Sequence, residues 1–78
     1  MPTKTRGKRR FVVCLRNTGY PASLEVRKIY ASLPDRSAEA HGMLRVVDES
    51  GEDYLYPAKF FMAVQLPQPL RSALRRAG

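Results

Sequence analysis

Eight cations are the residues best placed to do chemistry. Lys4, Arg6, Lys8, Arg9 and Arg10 fall in the first ten positions, Arg71, Arg75 and Arg76 in the last eight, and neither segment contains an acid. Ammonium and guanidinium groups at this density neutralise phosphates and release condensed counterions. That chemistry binds polyanions with steep salt dependence and little base preference. Phe11 and Tyr20 lie close enough in sequence to stack on bases, although aromatics in such a setting more often fill a core.

The other reactive residue types combine less well. Asp48, Glu49, Glu52 and Asp53 hold four of the seven acids, an oxygen-rich cluster of the kind calcium uses, but their spacing is not that of an EF-hand loop. They read instead as a solvated hairpin turn. His41 and Cys14 are the one histidine and the one cysteine, and together they cannot complete a zinc site within one chain. Cys14 sits between Val13 and Leu15 in an apolar run, which favours a buried, inert thiol over a nucleophile. The five glycines are scattered, so no phosphate-cradling loop is present. The expectation is a protein that is not an enzyme and takes no metal or cofactor.

The chain that must position these groups has 78 residues, 44% of them hydrophobic. It has room for one small domain and none for a cleft between two. Its formal charge of +7 is uneven: the tails carry eight cations, whereas residues 11–70 hold six bases against seven acids. The basicity belongs to the ends. Like charges keep residues 1–9 extended, predicting a mobile arm. A single cysteine fits a reducing compartment. The apolar run Phe11–Leu15 stops at Arg16, too short for a signal segment or a membrane span, so a soluble cytoplasmic protein with no membrane partner is expected.

Between the tails the pattern is that of short strands. Phe11–Leu15 is β-branched and aromatic enough for a strand buried on both faces. Asn17–Pro21 is a turn, Ala22–Val26 a short extended piece, and Lys28–Leu33 a second strand stopped by Pro34. Asp35 suits the cap of a one- or two-turn helix over Arg36–His41, closed by Gly42. Met43–Val47 and Asp53–Tyr56 form a hairpin around Asp48–Glu52, with Gly51 placed for a left-handed residue. Pro57–Phe60 predicts a 3₁₀ turn and Phe61–Leu66 the last strand. After the Pro67-Gln68-Pro69 breaker, Leu70, Ala73, Leu74 and Ala77 recur at helical spacing. Five short strands in so few residues predict an all-β, five-stranded small barrel over residues 11–67, with a basic arm over 1–10 and a short basic helix over 68–78.

Strand, long loop, strand, loop, tight hairpin, 3₁₀ turn and last strand resemble the order of an SH3-like fold. Leu55-Tyr56-Pro57-Ala58-Lys59-Phe60-Phe61 resembles the SH3 segment in which Pro, Ser, Asn and Tyr precede the final strand. The chain is also similar to a group of short bacterial proteins with an SH3-like barrel and no settled function, through Cys14-Leu15-Arg16-Asn17, Leu24-Glu25 and Asp48 to Pro57. The resemblance implies an aromatic groove for a protein ligand: Pro57 is retained, Phe60 stands where the motif has Tyr, Tyr20 supplies a loop aromatic, and Leu55 joins the surface. No tryptophan is present.

Two functions follow as expectations. The first is a non-catalytic module that binds RNA or DNA through Lys4, Arg6, Lys8, Arg9, Arg10, Arg71, Arg75 and Arg76. The second is a protein–protein interaction module that uses the groove at Tyr20, Leu55, Pro57 and Phe60.

Overall fold

The computed structural model describes residues 10–77, with side chains through Ala73. Five strands, β1 (Arg10–Cys14), β2 (Ile29–Leu33), β3 (Met43–Val47), β4 (Asp53–Pro57) and β5 (Phe61–Val64), form one antiparallel sheet in the order β4-β3-β2-β1-β5. The two short helices are α1 (Arg36–Ala40) and α2 (Gln68–Ala77), and a 3₁₀ turn spans Ala58–Phe60. β4 and β5 are the sheet's edges and do not pair with each other, so the sheet is open where a barrel would close.

Alternation along the strands sets the core. Val12 and Cys14 on β1 point to one side, with Tyr30 of β2, Val46 of β3, Tyr56 of β4 and Phe61 of β5. Leu24 from the β1–β2 loop and Phe60 from the 3₁₀ turn close this core from outside the sheet. Phe11 lies on the opposite face of β1 and is buried too, with the Arg71 guanidinium 5.3 Å from its ring centroid. That contact docks the start of α2 on the sheet, which a helix of ten residues needs because it is marginal in isolation.

The connections follow local chemistry. The β1–β2 loop turns twice, at Asn17–Tyr20 and at Glu25–Lys28, and each turn has a left-handed residue at its third position: Gly19 (φ 87°) and Arg27 (φ 72°). Ala22–Val26, expected as an extended piece, is a turn followed by irregular chain. Ser23 and Leu24 both donate to the Tyr20 carbonyl, which curls the backbone. Asp35 caps α1 by accepting from the Ala38 N–H, and the hairpin closes through Gly51 N–H to the Asp48 carbonyl. The last strand stops at Val64, two residues before the apolar run does.

Candidate functional site

The groove lies where the β1–β2 loop meets the β3–β4 hairpin. Tyr20, Ser23, Asp48, Ser50, Tyr54, Leu55 and Tyr56 line a cavity of about 450 Å³. Leu24 is buried to 1% exposure and anchors the loop, and its N–H donates to the Tyr20 carbonyl. Tyr20 then packs edge-on against Tyr56 at 4.9 Å between ring centroids and against Phe60 at 6.3 Å. Glu49 N–H donates to the Ser23 carbonyl, and Lys28 Nζ and Tyr30 OH both meet Glu49 Oε2 at 2.6 Å, so loop and hairpin are clasped together.

Beneath the groove Asp48 is buried. Its carboxylate accepts from Tyr56 OH at 2.5 Å, Ser50 Oγ at 2.6 Å and Ser50 N–H at 2.8 Å. The expectation of a solvated acidic turn is therefore wrong for Asp48, whose side chain the strand-end Tyr56 hydroxyl turns inward. Asp53 pairs with Arg45, Glu49 with Lys28, and Glu52 accepts from Tyr54 OH. Among the described residues no three of His, Cys, Asp and Glu form a metal-binding group.

These contacts tune the ionisable groups. Burial pushes the Tyr56 phenol up to about 12, and the Asp48 hydrogen bond adds to it. Burial and then Glu49 push Tyr30 up as well. Burial opposes ionisation of Asp48, but bonds from Ser50 and Tyr56 together outweigh it and hold the carboxyl below its usual value. Lys28, and after it Tyr30, hold Glu49 low. A raised phenol stabilises the fold fully below its unfolded value near 10, and that contribution is lost as pH rises through about 12. Depressed carboxyls stabilise above roughly pH 4.5 and lose the effect as pH falls. Urea unfolding against pH should give a plateau that falls at both ends. Tyr56→Phe should flatten the alkaline limb, and an unchanged limb would remove Tyr56 from it.

The expected groove residues divide. Tyr20 and Leu55, each 40% exposed, line the cavity together with Tyr54 at 51%. Pro57 is half-buried and Phe60 buried beneath Tyr20, so these two support the groove without lining it. Asp48, Ser50 and Ser23 were missed as lining residues, and Asp-x-Ser at the hairpin was the available signal. Cys14 is fully buried, its thiol pushed up by burial, while His41 is exposed after α1. The two are not brought together.

Among the expected phosphate-binding cations, Lys4, Arg6, Lys8 and Arg9 lie outside the described residues, as do the side chains of Arg75 and Arg76. Arg10 is exposed and paired with Glu39 at 2.7 Å, and Arg71 rests on Phe11. Phe11 is buried and not available for base stacking. β1 pairs with β5 through Phe11 and Val64, so the chain enters and leaves the sheet at one place. Among the described residues no helix is long and apolar enough to cross a membrane. Comparison of the chain with protein-family models, curated proteins and solved structures finds no match.

Proposed function

We propose that this protein is a non-catalytic binding module with an SH3-like fold that engages nucleic acid through its basic tails. Support for the fold is the strand order, the long first loop, the tight β3–β4 hairpin and the 3₁₀ turn before β5. The observation that carries the function is the β1–β5 ladder. Phe11 opposite Val64, with Arg71 over the Phe11 ring, joins the roots of both cationic tails at one end of the sheet. Eight cations from two separated segments then act on one stretch of phosphates rather than two. The Arg10–Glu39 pair is exposed, so Arg10 can exchange Glu39 for phosphate at little cost.

The test is an amide-shift titration of the full chain with single-stranded RNA and duplex DNA, repeated with Lys4, Arg6, Lys8 and Arg9 changed to Gln. Binding through about eight phosphate contacts falls about a thousandfold when salt rises about threefold, and the Gln variant, with half of those cations, binds more weakly and falls only ~30-fold. Absence of any shift at the tails in low salt defeats the reading.

A protein-interaction function is the second reading, favoured by the half-exposed Tyr20, Tyr54 and Leu55 around the groove. A proline-rich peptide then shifts Tyr54 and Leu55 amides equally in the parent and the Gln variant, with little response to salt.

A further inference from the structure

A second surface lies at the C-terminal end of β1, away from both the tail roots and the groove lining. Leu15 and Met62 are 49% and 56% exposed. Backbone hydrogen bonds fix what surrounds them. Leu15 N–H donates to the Phe60 carbonyl, so Lys59 comes alongside; Arg27 N–H donates to the Cys14 carbonyl, and Arg16 follows Leu15 directly. Met62 stands opposite Val13 in the β1–β5 ladder. Arg16, Arg27 and Lys59 are all exposed, and among the described residues none of them forms an ion pair. Two apolar side chains are thus flanked by three cations without counter-ions. Beside them runs β5, which among the described residues is an edge strand paired on one side only.

We infer that this edge binds an extended acidic–apolar protein segment, which adds to β5 as a sixth strand while its carboxylates meet Arg16, Arg27 and Lys59. An edge strand offers unpaired N–H and C=O groups, and a peptide backbone satisfies them whereas a lipid surface leaves them stranded. Alternation along an added strand presents apolar side chains to Leu15 and Met62. Nucleic acid fits less well, because the exposed side chains here are aliphatic and give bases nothing to stack on. A second copy leaves only Glu25 and Glu52 exposed and outside any ion pair among the described residues, one in the β1–β2 loop and one in the hairpin turn, so it offers no extended acidic strand. Asp35 and Asp53 are held by Arg45, Glu39 by Arg10, Glu49 by Lys28, and Asp48 by Tyr56 and Ser50. The acid must come from a different protein, and the surface is independent of the tails and of the groove.

The test uses the full chain and a short synthetic peptide alternating glutamate and valine, with a lysine–valine peptide as control and phosphatidylserine vesicles as a separate arm. The acidic peptide should shift the Met62 and Ala63 amides, and rising salt should weaken it. Arg16→Glu with Lys59→Glu should weaken it about tenfold. Met62→Ser should weaken it without changing the salt dependence. If the charge-reversal variant does not fold, the salt titration and Met62→Ser decide. The inference is overturned if the β5 amides stay still, if only tail or groove amides move, if the lysine peptide binds equally, or if vesicles engage the patch while the peptide does not.

Discussion

Asp48→Ala is expected to lower the unfolding free energy by about 3 kcal/mol and the melting temperature by about 10–20 °C. The carboxylate is buried and accepts three hydrogen bonds, one from the Tyr56 hydroxyl and two from Ser50. Bonds to an ionised acceptor contribute about 1.5–3 kcal/mol each when one partner is removed, but Ser50 is exposed and recovers water. Tyr56 is buried and is left with the Ser23 hydroxyl in place of a carboxylate, so the loss concentrates there. Among the described residues no buried side-chain polar atom lacks a partner, and the substitution takes the charged acceptor away from the Tyr56 hydroxyl. Tyr56→Phe removes the donor as well and should cost about 1–2 kcal/mol, less than Asp48→Ala. The double variant should cost less than the two singles added, by about 1 kcal/mol, because both act on one bond. Urea denaturation with unchanged m-values measures all three. A cost below about 1 kcal/mol for Asp48→Ala would show that the hairpin does not depend on this carboxylate.

Leu24→Ala is expected to cost about 3 kcal/mol and to disorganise the groove at the same time. Leu24 is the core residue supplied by the long β1–β2 loop, buried to 1% exposure. Its backbone is tied at both ends: Leu24 N–H donates to the Tyr20 carbonyl, and Asn17 Nδ2 donates to the Leu24 carbonyl at 3.0 Å. Removing the side chain leaves a cavity under the loop that holds Tyr20 against Tyr56 and Phe60. Amide exchange at Leu24 and Glu49 should therefore accelerate beyond what the global loss explains, and the ring-current shifts around Tyr20 should collapse. Leu44→Ala, at a position only packed against the core's edge, should cost less and leave those shifts in place. Equal effects at the two sites would mean the loop is not anchored through Leu24.

These two residues also mark where sequence reasoning reached and where it stopped. Leu24 was readable only as part of an extended piece. Nothing local distinguishes an apolar residue that plugs a core from one on a passing loop, since the cluster it joins is assembled from all five strands and the 3₁₀ turn. Asp48 was grouped with three solvated acids because charge predicts exposure unless a buried hydroxyl awaits it. Tyr54 and Tyr56 share a strand face, and the pattern could not say which lies under the loop and which lies at the rim.

The sequence by itself determined the elements and the charge. Turn chemistry at Gly19, Gly42 and Gly51, the Asp35 cap, the β-branched runs and the Pro67–Pro69 breaker are short-range effects, and each shaped an element close to its expected bounds. The segregation of eight cations into two tails needs no fold to be seen. Tertiary structure alone decided that β1 meets β5 and joins the tail roots, that the sheet stays open at β4 and β5, and that Arg45, Arg10 and Lys28 absorb four of the acids while Arg16, Arg27 and Lys59 remain without counter-ions among the described residues. The reason is one of range. Backbone propensities act over a few residues, whereas strand pairing and ion pairing join residues whose proximity exists only after the chain has closed its loops.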